Sequence, residues 1–340
     1  MTIKDIAKES GYSVGTVSRV LNNHPDVSDA ARKKITAVVE KHHFSLNSNA
    51  KHLKQQASSG IAVIVKGTRN LLFATIVEDL QRLIKEKGYT CLIYYIDEDD
   101  NEVAHALRIC RERKPQGILF LGSTFSHFEE HFSEIRIPCV MVTNSAASLG
   151  FPNLSSVSTD DTAAADFAVS HLVSLGHRNI GVLGGKMERS QASCARYLGC
   201  LNAFRRHQIG FDPEANYEGS RFSLSGGYQA MERLLAKMPD MTAVFVMADV
   251  TAVGAIRAIR ERGLRVPEDI SVIGFDGVEL GGFLTPKLTT IRQDASHLAR
   301  RSLELLLYAL QHSDAPPVHE LVPFCLIPGE SVKPRNHESI

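Results

Sequence analysis

Val14, Gly15, Thr16, Ser18, Arg19 and Asn22 are spaced so that a helix turns them to one face, while Val17, Val20 and Leu21 take the other. Their chemistry suits hydrogen bonding to a duplex. Arginine pairs with guanine edges in the major groove, and serine and threonine hydroxyls meet phosphates. An ordinary helical hairpin carries the same pattern, so these residues alone leave both readings open.

A second group is acidic. Asp249 and Asp276 each end an apolar run. At the carboxyl end of a parallel strand such a side chain either faces the crevice where ligands bind or caps the segment that follows. For Asp276 the following Gly277 makes a turn, so capping is a full alternative. No H-E-x-x-H, G-x-S-x-G or C-x-x-C pattern is present, and Gly181-Val-Leu-Gly-Gly185 is neither G-x-G-x-x-G nor a P-loop. The expectation is a protein that is not an enzyme, with no metal and no cofactor. The six cysteines, several inside strand-like runs, read as reduced core thiols of a cytoplasmic protein.

The elements that must position these groups begin with the helices around residues 2–22. Thr2 caps the first, with Asp5 three residues on, and Ile3, Ile6 and Ala7 share a face. Gly11 stops it, and Ser13 caps the second. Ser28 caps a third helix striped by Ile35, Val38 and Val39, which ends near His43. Two helices joined by a glycine turn make a helix-turn-helix. Residues 1–57 hold nine Lys and Arg against five Asp and Glu, a surplus of +4 that the rest balances, since the whole chain holds 38 of each sign. A basic head on a mildly acidic body fits phosphate binding through the head. No apolar signal segment opens the chain and no run approaches membrane-spanning length.

Gln55-Gln-Ala-Ser-Ser-Gly60 reads as a linker, and from Ile61 the period changes. Ile61-Ala-Val-Ile-Val65 is the unbroken β-branched run of a strand buried on both faces. Strands expected at 91–96, 117–121, 138–142, 179–184, 243–247 and 270–275 alternate with helices at 72–87, 101–113, 161–175, 193–207, 225–237 and 250–262. The fold class is therefore α/β, with two lobes, each a parallel sheet covered by helices. A strand at 288–293, a helix at 295–311 and an extended run at 319–327 return the chain between the lobes.

With these elements in order, the chain resembles the lactose-repressor/galactose-repressor family of bacterial transcription regulators over residues 2–331. The resemblance rests on Thr2-Ile-Lys-Asp-Ile-Ala7, Thr16-Val-Ser-Arg-Val-Leu-Asn22, His171-Leu-Val-Ser-Leu-Gly-His-Arg-Asn-Ile180, Arg196-Tyr-Leu-Gly199, Val266-Pro-Glu-Asp-Ile-Ser-Val-Ile-Gly-Phe-Asp276 and Leu288-Thr-Thr-Ile-Arg-Gln293. It implies a head over 1–45 and a hinge helix and linker over 46–59. It implies a first lobe over 60–160 with 292–318, a second over 161–291 with 319–331, and a tail over 332–340. The body is then similar to a two-lobed periplasmic binding protein. Contacts to double-stranded operator DNA fall on Ser13, Val14, Gly15, Thr16, Ser18, Arg19 and Asn22, and on Asn47, Ala50 and Leu53 of the hinge. Leu53 matches a leucine that wedges into the minor groove. The effector cleft between the lobes is implied at Phe73, Arg189, Arg196, Phe222, Asp249 and Asp276, with the phenylalanines stacking on a ring face. The implied protein is a repressor whose affinity for its operator is set by a small, carbohydrate-derived effector, a sugar or sugar acid. Four departures stand out: Ala248 where the family commonly has Asn, Asn70-Leu-Leu-Phe73 for Asn-Pro-Phe-Phe, Thr143 for Asp, and Leu46 for Pro. The first three weigh against a typical hexose. Glu330–Ile340 is polar, with no leucine heptads, and is expected to be disordered, which favours a homodimer.

Overall fold

The computed structural model describes residues 3–21, 26–42, 60–187 and 190–335. The cap at Thr2, the site residues Asn22, Asn47, Ala50, Leu53 and Arg189, and Leu46 lie outside the described residues. The chain divides into two compact units, before and after the Ser58–Ser59 bond.

In the first unit, α1 (Ile3–Ser10), α2 (Val14–Leu21) and α3 (Asp29–Lys41) enclose a core of Ile6, Ala7, Val17, Val20 and Ile35. Gly11 takes φ +73, a left-handed turn in which glycine escapes the Cβ penalty, so the chain reverses between α1 and α2. The Ser13 hydroxyl accepts the Thr16 amide at 3.1 Å, and Ser28 accepts that of Ala31 at 3.4 Å. Glu9 on α1 receives Lys41 at 2.9 Å and sits 2.8 Å from His42, tying the first helix to the end of the third.

The second unit holds two six-stranded sheets. The first runs β11-β5-β4-β3-β1-β2, all parallel. Its strands are β1 (Gly60–Lys66), β2 (Thr90–Ile96), β3 (Gly117–Leu121), β4 (Cys139–Val142), β5 (Leu154–Thr159) and β11 (His319–Val322). The second sheet runs β12-β10-β9-β8-β6-β7, parallel except for β12 against β10. It comprises β6 (Ile180–Gly184), β7 (Tyr217–Gly219), β8 (Ala243–Val246), β9 (Ser271–Asp276), β10 (Thr289–Gln293) and β12 (Phe324–Ile327). In the first lobe, α4 (Leu71–Glu86) and the late α12 (Ala295–Gln311) share one core with the sheet, while α5 (Glu102–Arg113) and α6 (Phe125–His131) join the core on the sheet's other residues. In the second lobe, α7 (Asp161–Ser174) and α8 (Gln191–Arg206) build one core, and α10 (Leu224–Lys237) and α11 (Asp249–Glu261) another, with the short α9 (Pro213–Asn216) between α8 and β7. The chain passes between lobes three times: from β5 into α7, from β10 into α12, and from β11 into β12.

The expected assignments change in two places. The run 319–327 was placed whole in the second lobe. It splits, because β11 pairs in parallel with β5 of the first sheet and only β12 joins the second. The tail was expected to be disordered from Glu330. Instead Ser331 is fully buried and bonded to both strands it crosses: its hydroxyl donates to the Val272 carbonyl at 2.6 Å and accepts the Thr289 amide at 2.8 Å. His177 holds the Lys333 carbonyl at 3.0 Å, and the Arg335 amide donates to Leu175 at 2.8 Å. Satisfied backbone pairing, with Val332 packed on the core of the second lobe, orders a mostly polar segment.

Gly199 lies where α8 crosses α7. A Cβ there would stand 2.2 Å from the Thr162 carbonyl oxygen and 2.9 Å from the Ala165 Cβ. Gly199→Ala is therefore expected to cost about 1–3 kcal/mol by overpacking. Gly282→Ala meets nothing within 4 Å and should change stability by less than about 0.5 kcal/mol. Thermal melts of the two variants check this.

Candidate functional site

Two sets of residues carry chemistry, one in each compact unit. On α2 the buried stripe of Val17 and Val20 leaves Ser13, Val14, Gly15 and Arg19 exposed and Thr16 and Ser18 half-buried. Ser13 is already committed: besides capping α2, its hydroxyl lies 2.9 Å from that of Thr16.

The second set surrounds a cavity of about 200 Å³ in the body, at the carboxyl ends of strands of both sheets. Parallel strands end there, and the loops beyond them supply the polar groups. Phe73, Arg196, Phe222 and Asp276, all expected from sequence, line it together. Phe73 and Phe222 are half-buried and come from opposite lobes. Gly122, at φ +73, makes room for the first: a Cβ would meet the Lys66 carbonyl at 2.8 Å and the Phe73 ring at 3.1 Å.

Arg196 is 5% exposed. Its Nε donates to Asp161 Oδ1 at 2.8 Å, one Nη donates to the Met247 carbonyl, and the other lies 3.9 Å from Asp276 Oδ1. Its guanidinium sits 3.8 Å from the centroid of the Phe275 ring. Asp276 closes β9 at φ +116, a strained backbone for a residue with a Cβ, and Thr143 closes β4 in the same region at φ +76. Gln293 Nε2 donates to Asp276 Oδ1 at 2.8 Å. Burial pushes the Asp276 carboxyl up to about 7, against the pull of Arg196 and Gln293. Two buried atoms of the wall, Gln293 Oε1 and Ser123 Oγ, have no hydrogen-bond partner among the described residues.

Asp249 departs from expectation. It is fully buried and does not line the cavity. One carboxylate oxygen accepts the Thr290 hydroxyl at 2.6 Å and the other the Val278 amide at 2.9 Å. It holds the turn that follows Asp276 and does not cap its own helix, so neither alternative read from the sequence is realised. Burial drives its carboxyl up to about 8, with the nearby Asp276 adding to the shift.

Sequence reasoning passed over two features of the wall. Lys66, the last residue of β1, is buried and donates to Glu102 Oε2 and Thr124 Oγ1, each at 2.7 Å. A lysine closing a five-residue apolar strand was the signal available. At the rim, Arg221 of the second lobe binds Asp97, Glu98 and, at 3.0 Å, Asp99 of the first. A contact across more than 120 residues leaves no local trace.

Residues 2–47 match the bacterial regulatory proteins of the lacI family, and residues 169–332 match the periplasmic binding protein-like domain. The chain is 33% identical over 334 residues to the HTH-type transcriptional regulator MalR of Clostridium butyricum, spanning 97% of this chain and 99% of MalR. Its fold is similar to that of the lac repressor dimer bound to operator and the anti-inducer ONPF, with TM-score 0.77, 27% identity and coverage of 98% and 99%. It is also similar to a LacI family transcriptional regulator from Enterococcus faecium with bound ribose, with TM-score 0.72, 26% identity and coverage of 82% and 100%.

The Asp276 carboxyl supplies a pH test. Its folded value lies above its unfolded one, so its contribution to stability is present below about pH 4 and is lost as pH rises through about 7. The melting temperature of the protein relative to Asp276→Asn should fall over that window and level off above it. A difference independent of pH would place the titration elsewhere.

Proposed function

The chain belongs to the lacI family of bacterial regulatory proteins, and from that premise we propose that it binds its operator as a homodimer and releases or holds it according to a carbohydrate-derived molecule in the body cavity. It is a DNA-binding transcriptional regulator under ligand control, built as a helix-turn-helix head on an α/β body. No helix among the described residues is long and apolar enough to cross a membrane, and the reading places the protein in the cytoplasm with its DNA.

In this reading the exposed side of α2 meets the major groove through Val14, Gly15, Thr16, Ser18, Arg19 and Asn22, with Ser13 presenting the helix. Asn47, Ala50 and Leu53 take the hinge role, Leu53 as an apolar wedge in the minor groove. Two-fold pairing has apolar side chains to draw on, since Leu71, Leu224, Leu280 and Phe283 are exposed, Phe283 by 79%. The observation that carries the effector site is the cavity wall itself. Arg196, Asp276 and two buried polar atoms without partners face a space flanked by phenylalanines from both lobes. Arg189, outside the described residues, keeps the effector role that the resemblance implies. Thr143 and Ala248, standing where a carboxylate and an amide side chain respectively are usual, favour a ligand with fewer bonded hydroxyls than a hexose.

Arg19→Ala is expected to weaken operator binding by about 1–3 kcal/mol and to relax preference at one position of each half-site, read by competition against operator variants. A loss uniform across variants assigns Arg19 to a phosphate instead. Asp276→Ala is expected to abolish the effector response while operator affinity without effector stays unchanged. The measurement is operator affinity titrated with a ligand selected by thermal stabilisation. A wild-type midpoint in the variant removes Asp276, and with it the cavity, from effector binding.

A further inference from the structure

We infer that the first-lobe end of the cavity, at Lys66 and Ser123, receives an oxyanion carried by the ligand, so that the effector is an anionic polyol. The inference rests on the cavity being the effector site and adds the ligand's charge and the residue that reads it.

Lys66 ends β1 as a lining residue of the cavity, with its side chain 5% exposed. An ammonium has three protons. Glu102 Oε2 and Thr124 Oγ1 take two of them, each at 2.7 Å. The remaining neighbour, His127 Nδ1, lies 3.5 Å from Lys66 Nζ but only 2.8 Å from Glu102 Oε2. A ring nitrogen that donates to Glu102 has no lone pair left for Lys66, so the third proton has no acceptor there. Glu102 stands behind the lysine, fully buried. It accepts Lys66, His127 and the Thr124 amide, the last at 2.6 Å, and does not reach the cavity. Of the pair, Lys66 lines the cavity and Glu102 does not, so its positive member is the nearer to the ligand.

Two neighbours strengthen the assignment. Ser123 Oγ, in the loop after β3, is buried in the same wall with no partner, and a hydroxyl donates well to an anionic oxygen. Arg69, three residues beyond Lys66, is exposed at the cavity and has no carboxylate partner among the described residues. The carboxylates of the rim do not oppose an anion, because Asp97, Glu98 and Asp99 are turned to Arg221. The far wall has the opposite character. Asp276 and the unpartnered Gln293 Oε1 are acceptors, and Arg196 is bound to Asp161 and the Met247 carbonyl. A ligand that fits both walls carries anionic oxygens toward the first lobe and hydroxyl donors toward the second.

The test uses the full chain with D-glucuronate, D-gluconate, D-glucose 6-phosphate and D-glucose at one ionic strength, read by thermal shift and calorimetry. The carboxylate and phosphate arms tell the two oxyanions apart. At least one oxyanion should stabilise the protein where D-glucose does not. The double variant Lys66→Met with Glu102→Gln removes the charge together with its partner and should weaken that ligand at least about tenfold, a loss of about 1.4 kcal/mol. Ser123→Ala, which leaves the ion pair intact, should weaken it several-fold and keeps the test open if the double variant does not fold. D-glucose binding as well as its acids, no oxyanion binding, or wild-type oxyanion affinity in the variants overturns the inference. A neutral sugar whose binding is lost in Asp276→Asn would overturn it and leave the cavity as the effector site. An oxyanion that binds unchanged in both the Lys66 and Asp276 variants would remove the cavity reading too.

Discussion

A buried guanidinium organises the body. Arg196 cannot be left unpaired at 5% exposure, because a lone buried charge costs far more than a surface one. Its partner Asp161 is the first residue of α7, just after the chain leaves the first sheet at Thr159. Its other carboxylate neighbour, Asp276, is held by Gln293, the last residue of β10 before the chain returns to the first lobe. Two of the three passages between lobes thus end on one hydrogen-bonded cluster, and that cluster is also a wall of the cavity. A molecule bonded to Asp276 would act directly on groups fixed to the crossings between the lobes.

The rim contact works differently. Arg221 and its three carboxylates are each about a third to a half exposed, so water and salt screen them and the pairing is weak beside the buried cluster. It spans the two lobes, however, and Arg221 is followed directly by the cavity-lining Phe222 and by Ser223, the cap of α10. Separation of the lobes at the rim would move a ring that lines the cavity.

Much of this was legible where physics demands a particular residue type. Strands buried on both faces need unbroken apolar runs, so β1, β3, β4, β8 and β9 could be read directly. Leu154–Thr159 could not, because its sequence LSSVST has the polarity of a loop. Two of its four hydroxyls are answered from residues 318 and 319: Ser155 accepts the Val318 amide at 3.1 Å and Ser156 lies 2.8 Å from His319, while those of Ser158 and Thr159 have no partner among the described residues. The same distance in sequence hid β11 in a run that read as one strand. Within the site, Arg196, Asp276, Phe73 and Phe222 converge as expected. Asp249 does not, since a strand-end aspartate reads the same whether it points into a crevice or back onto a turn. Lys66 was missed because its partners arrive from residues 102 and 124.

The split of the last two strands sets the order in which the molecule is completed as it is made. His319–Val322 finishes the edge of one sheet and Phe324–Ile327 the edge of the other, with one proline between them. Until the ribosome has released those nine residues, both lobes lack a strand, although the three-helix head was synthesised some 280 residues earlier. A chain that stops before His319 therefore carries a head attached to a body in which each sheet lacks an edge strand. Such unpaired edges are sites of aggregation. The two lobes are thus closed together, by one short stretch of chain made long after the head.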